Sequence, residues 1–198
     1  MPADAVVPAE AQDLLQDDDF DVEITSSETV YRGAVWNIKR EEFRYGDSTI
    51  AREFVDHTGA VAVLVQDDEG RILLIKQYRH PVHSRDWELP AGLLDVDGEP
   101  PLEAAKRELG EEADLEASKW QPLVAFNSTP GGSNERLFVF HATGVTDTES
   151  AFEREAEEAD IEKRWVALDE VVLGVLEGRL HNSILSISAL ALHAKLGR

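Results

Sequence analysis

The stretch RELGEEADL, residues 107–115, sets Glu108, Glu111 and Glu112 close together in a chain whose formal net charge is already -21. On a helix, like charges three or four residues apart repel by roughly 0.2–0.5 kcal/mol per pair. Such a face persists where water screens it or where something positive sits against it. Placed on a helical wheel, Leu102, Ala105, Leu109 and Ala113 fall within a stripe of about 80°, the side that faces a core. The three glutamates occupy a sector of about 100° beside that stripe, with Arg107 directed away. The acids therefore stand at the edge of the buried face, where screening is poor. Hard divalent cations take oxygen ligands there at about 2.0–2.6 Å, and Mg²⁺ uses few carboxylates and fills its shell with water and phosphate. A solvated charged face is the other reading of the same spacing.

Rival chemistries find less support. The chain has no cysteine, which excludes disulfides, a thiol nucleophile and sulfur-ligated zinc. DVDGEP opens like a calcium-binding loop, but Pro100 stands at the sixth position, where that loop needs glycine. His57, His80, His83, His141, His181 and His193 show no paired metal spacing such as HExxH, and read as structural or surface residues. No GxSxG occurs, so acyl-transfer hydrolysis is unsupported. With 40 Asp+Glu against 19 Lys+Arg, no broad cationic surface for nucleic acid is expected. No apolar run approaches the ~20 residues of a membrane span, and MPADAVVPAEAQDLL is not a signal peptide. A cytoplasmic protein without nucleic-acid or membrane partners is expected.

The elements that must position the acids follow from local patterns. Residues 1–19 look like an acidic, flexible tail. From Asp21 to about Val55, β-formers alternate with polar residues, and GDS marks a turn. GAVAVLVQ and RILLIKQYR look like buried strands joined by a DDEG hairpin turn. DWELPAGLLDVDGEPP is rich in turn formers, and Pro100 and Pro101 suit the start of a helix reaching about Ala113. WQPLVAF and ERLFVFHAT are further strands around the loop NSTPGGSN. After the acidic stretch at 146–163, RWVAL is a short strand. Two helices close the chain, DEVVLGVLEG with its C-cap glycine and NSILSISALALHAKL with Asn182 as N-cap. The pattern predicts an α/β (α+β) domain with a mixed β-sheet sandwiched between helices.

GLLDVDGEPPLEAAKRELGEEADL resembles the Nudix box through Gly92, Glu99, Arg107, Glu108, Leu109, Glu111, Glu112 and Leu115. Two positions depart from the pattern. Six residues rather than five separate Gly92 from Glu99, and Asp114 stands where the family has glycine. The first change lies in a loop, where one residue costs little. The second sits just past the helix, where aspartate tolerates the left-handed backbone better than most residues. The resemblance implies the Nudix fold, with an N-terminal β-rich dimerisation segment at 20–57 and a hydrolase domain at 58–198. It also turns the acidic edge into a metal site of Glu108, Glu111, Glu112 and the Ala91 carbonyl, for Mg²⁺ or Mn²⁺.

Outside the box, PGGSNER around Pro130, IKQYRHPV, WELPAGLLDV, EEADI and NSI resemble actinobacterial-type ADP-ribose pyrophosphatases. That likeness implies hydrolysis of ADP-ribose to AMP and ribose 5-phosphate by a homodimer whose N-terminal strands reach the partner. Glu157, or Glu158 beside it, would be the catalytic base, acting with Glu108 and Glu112. Arg52 and Arg79 would clamp phosphates, Glu88 and Glu135 would make supporting polar contacts, and Trp36 or Tyr31 would stack on adenine. Arg107 would pair with Glu99 or another acid of the box. Another nucleoside diphosphate sugar such as GDP-mannose, or a dinucleotide, is the alternative substrate. A ligand-binding module without turnover is the third reading.

Overall fold

The run AVAVLV, Ala60–Val65, is buried along its whole length, and its alternation assigns a separate core to each face of its sheet. The computed structural model describes residues 15–149 and 160–197. An N-terminal antiparallel sheet comprises β1 (Ile24–Arg32), β2 (Asn37–Tyr45) and β3 (Ser48–Asp56), in that order. The buried run is β4, followed by β5 (Arg71–Arg79), a 3-10 turn at His80–Val82, β6 (Ser84–Glu88) and β7 (Ala91–Leu93). Next come α1 (Pro101–Ala113), β8 (Leu115–Asn127), β9 (Arg136–Asp147), β10 (Glu162–Ala167), α2 (Leu168–Leu176) and α3 (Ser183–Lys195). A four-stranded mixed sheet runs β7-β4-β9-β8, with β4 and β9 parallel, and a three-stranded antiparallel sheet runs β10-β5-β6.

Val61, Val63 and Val65 share one core with Ala104, Ala105, Leu109 and Ala113 of α1. Ala62 and Leu64 point the other way, into a second core with Leu168 and Val171 of α2 and Leu185, Ala189 and Leu192 of α3. The mixed sheet is thus held between helices, as the pattern implies. Each large side chain in these cores contributes about 1.5–3 kcal/mol by leaving water. Asn182 caps α3, its side chain accepting the Leu185 amide at 3.0 Å. No helix among the described residues is long and apolar enough to cross a membrane.

The hairpin expected at DDEG is half right. The turn closes, with the Asp67 amide on the Arg71 carbonyl and the Gly70 amide on the Asp67 carbonyl, both at 3.0 Å. Beyond one bridge, Gln66 to Ile72, the two strands part into different sheets. β4 is already paired on both edges, by β7 and β9, so β5 has to find β6 and β10 instead. The loop expected at 86–101 also contains more order than its turn formers suggest, because its first residues complete β6 and Ala91–Leu93 form β7. A three-residue strand is too short to display a period.

The N-terminal sheet joins the rest through β3. The Val55 amide donates to the Gly132 carbonyl at 2.9 Å, and the His57 amide to Asn134 Oδ1 at 2.7 Å. These bonds seat β3 against the loop between β8 and β9.

Candidate active site

Local chemistry frames α1 at both ends. Pro100 is the N-cap in extended conformation and Pro101 occupies the first helical turn. Asp114 ends the helix in the left-handed region at φ 58°, its amide bonded to the Gly110 carbonyl at 3.0 Å. Lys163 of β10 holds that end, donating to the Ala113 carbonyl at 2.8 Å and to Asp114 Oδ2 at 2.9 Å. The residue standing in place of glycine is therefore accommodated and tied down.

Between these caps, the acidic edge of α1 faces β7. A β-carbon on Gly92 would lie 2.0–2.3 Å from the carboxylate atoms of Glu108, so only glycine lets that carboxylate approach the strand. One turn on, Glu112 accepts the Ala91 amide at 2.8 Å and is buried. Glu108 is 12% exposed and Glu111 43%, which makes Glu111 the outermost of the three. Burial pushes the Glu108 carboxyl above the ordinary carboxylate range, against the opposing pull of Arg107. Glu111 and Asp95 add to the upward shift.

Arg107 corrects the helical wheel. Its long side chain folds back along the acids instead of pointing away. Nη1 donates to Glu108 Oε1 at 2.6 Å and Glu111 Oε2 at 3.0 Å, while Nε and Nη2 take Glu99 at 3.3 and 3.1 Å. Three carboxylates around one guanidinium hold it firmly protonated, chiefly through Glu99. Among the described residues no three acids stand in a ligating arrangement, since Arg107 takes an oxygen from two of them. The donor set nonetheless fits a hard divalent cation: oxygen ligands, a strand that Gly92 lets Glu108 approach closely, and a half-buried Glu108 whose carboxyl burial pushes above its ordinary range.

The β6–β7 connection links this edge to a second charged pair. Glu88, buried at the end of β6, receives Arg79 Nε at 2.9 Å and Nη2 at 2.6 Å, a two-pronged pairing. Gln77, also buried, donates to Glu88 at 3.4 Å. Glu88, and at longer range Glu112 and Asp86, hold the Arg79 guanidinium above its ordinary pKa, which places Arg79 within the field of the acidic helix.

The remaining residues expected at the site gather elsewhere. Arg52 and Pro130 line one cleft of about 490 Å³ together with Phe54, Asn127 and Asn134. Arg79 is not among the residues lining that cleft. Trp36, in the turn before β2, is exposed and stacks on His57 with ring centroids 5.4 Å apart. Tyr31 is exposed on β1. Glu135 turns inward: His57 Nε2 lies 3.4 Å from Oε1, and the Ser128 hydroxyl donates to Oε2. Since His57 Nδ1 accepts the Gly59 amide at 2.9 Å, Nε2 carries the proton that faces Glu135. Glu157 and Glu158 lie outside the described residues.

Sequence reasoning missed Gln77, Asn134 and Ser128, and read His57 only as structural or surface. His57 and Glu135 meet across 78 positions, and no local pattern announces such a contact.

Fold and site together define an α/β protein with an acidic helix edge set against a short glycine-bearing strand. The NUDIX domain matches residues 56–186, and the chain belongs to that family of hydrolases, which typically depend on a divalent metal. It is 45% identical over 177 residues to the ADP-ribose pyrophosphatase of Mycobacterium tuberculosis, covering 89% of this chain and 85% of that one. It is 36% identical over 155 residues to the ADP-ribose pyrophosphatase of Bacillus subtilis, covering 78% and 82%. The crystal structure of an ADP compounds hydrolase superposes with a TM-score of 0.75 at 18% identity, over 92% of this chain and 97% of that one, a likeness of fold.

Proposed function

We propose that the chain hydrolyses the diphosphate of ADP-ribose to AMP and ribose 5-phosphate. The observation that carries this reading is the 45% identity to an ADP-ribose pyrophosphatase across nearly the whole chain, with every carboxylate of the Nudix box retained. Glu108, Glu111 and Glu112, with the Ala91 carbonyl, would hold a divalent cation, Mg²⁺ first and Mn²⁺ second. Such a cation, when bound, lowers the pKa of its water and offsets phosphate charge.

The chain's own residues supply the rest. Arg107 keeps the acidic edge aligned, and Gly92 makes room for the Glu108 carboxylate against β7. Glu88 grips two donor nitrogens of Arg79 and so orients the guanidinium that would meet a phosphate. Arg52 and Pro130 line the cleft that would take the nucleotide, Trp36 offers a stacking face for adenine, and Glu135 shapes the cleft loop through Ser128. Glu157, or Glu158, would take the proton of the attacking water.

We infer further that the enzyme acts as a homodimer in the cytoplasm, without nucleic acid or membrane. Ile24, Val30 and Tyr31 are exposed on β1, an outer strand of its sheet, which supports contact with a second copy. Light scattering would then give twice the chain mass, and a single-chain mass would refute the dimer.

One assay tests the function. With Mg²⁺, the protein is given ADP-ribose, ADP-glucose, GDP-mannose and diadenosine polyphosphates, and AMP or GMP release is followed. ADP-ribose should be preferred, and chelator should abolish turnover. Preference for GDP-mannose would defeat the substrate assignment and leave the mechanism standing.

A further inference from the structure

The connection from β5 to β6 carries a group of side chains that the hydrolytic site does not use. The Tyr78 hydroxyl lies 3.1 Å from His80 Nδ1 and 3.4 Å from His83 Nδ1. Both imidazoles thus converge on one oxygen, and their rings meet edge to face at 5.0 Å between centroids. The backbone sets this arrangement. His83 sits in the left-handed region at φ 52°, and its amide closes the 3-10 turn onto the His80 carbonyl at 3.1 Å. Strand alternation puts Tyr78 on the face opposite Gln77 and Arg79, which separates the group from the Arg79–Glu88 pair. Its neighbour across the strands, Arg85, sends its guanidinium to the Asp160 carbonyl at 2.9 Å.

We propose that Tyr78, His80 and His83 form a site for a tetrahedral transition-metal ion of the Zn²⁺ class, distinct from the acidic edge of α1. Ligand bonds of about 2.0–2.1 Å in a tetrahedron put neighbouring donor atoms about 3.3–3.4 Å apart, against roughly 2.9 Å for right-angled geometry. Of the observed separations, 3.4 Å matches the tetrahedral edge and 3.1 Å lies between the two geometries. Two imidazoles and a phenolate suit a borderline ion and not Mg²⁺, which prefers oxygen throughout. Among the described residues no acid completes the set, and all three side chains are exposed, leaving the fourth position to water. On binding, the Tyr78 O–H bond is replaced by an oxygen–metal bond and the proton passes to the buffer.

The test uses the full chain, stripped of metal and titrated with Co²⁺ and then Zn²⁺ at about pH 7.5 in excess Mg²⁺. One equivalent of Co²⁺ should bind with the intense visible bands of tetrahedral coordination, and calorimetry in two buffers should register proton release. His80→Ala and His83→Ala should each weaken binding by about tenfold or more. Tyr78→Phe should abolish the proton release, and His193→Ala should change nothing. Glu112→Gln should retain the equivalent, which separates this site from the helix edge. Unchanged affinity in both His80→Ala and His83→Ala, or loss of the equivalent in Glu112→Gln, would overturn the proposal. Tyr78, His80 and His83 lie on the surface, and matching thermal unfolding curves of every variant, Glu112→Gln and His193→Ala included, verify the fold.

Discussion

At the scale of single residues, the site depends on one missing side chain and three charged ones. Gly92 is bare because the Glu108 carboxylate occupies the position of its absent β-carbon. Gly92→Ala must therefore displace either β7 or Glu108, and we expect a stability loss of about 1–3 kcal/mol with a fall in turnover, read by denaturant melts and initial rates. Glu112→Gln differs in kind. The amide oxygen still receives the Ala91 N–H, so melting should stay near wild type while turnover falls by at least about 100-fold. A rate near wild type would mean that the acidic edge is not the reaction centre. Arg107 spans Glu99, Glu108 and Glu111 with a planar fork that an ammonium cannot imitate. Arg107→Lys should cost about 1–2 kcal/mol in thermal unfolding.

Elements are held by caps and by buried polar contacts at their ends. His141 of β9 lies half-buried, 3.1 Å from Gln66 Oε1, and burial, with Lys195 adding, holds its pKa below the ordinary value. A histidine with a depressed folded pKa stabilises the fold above its unfolded value of about 6.5, and that contribution is lost as pH falls through the lower folded value. The melting-temperature advantage of wild type over His141→Gln should therefore shrink on acidification from about pH 7.5 to 5. An advantage that grows on acidification would contradict the shift. At α3, Asn182→Ala removes the acceptor for the Leu185 amide and should cost about 1 kcal/mol.

The whole molecule carries a formal net charge of -21 toward a substrate that is itself an anion. The general field opposes encounter, and only the local cations reverse it. At saturating Mg²⁺ and low substrate, kcat/KM should rise as salt goes from about 10 mM to 150 mM, because screening shortens the reach of the repulsion. A steady fall would mean that Arg52, Arg79 and the bound cation already govern the approach. The N-terminal sheet enters at this scale too, because β3 brings Arg52 to the Pro130 loop through hydrogen bonds from Val55 and His57.

The sequence alone determined the acidic helix, from the prolines that start it to the left-handed Asp114 that ends it, and likewise the Asn182 cap. Each of these rests on interactions within about four positions, so type and spacing suffice. The two-sided burial of β4 was equally visible as an unbroken apolar run. Tertiary structure decided which strands pair, because apolar runs such as those of β4 and β5 name no partner, and the edges of β4 were filled by β7 and β9. It also decided that Arg107 folds back on the acids, that Glu108 fills the space at Gly92, and that His57 meets Glu135. Those contacts depend on charge and packing between segments distant along the chain, which no local spacing encodes.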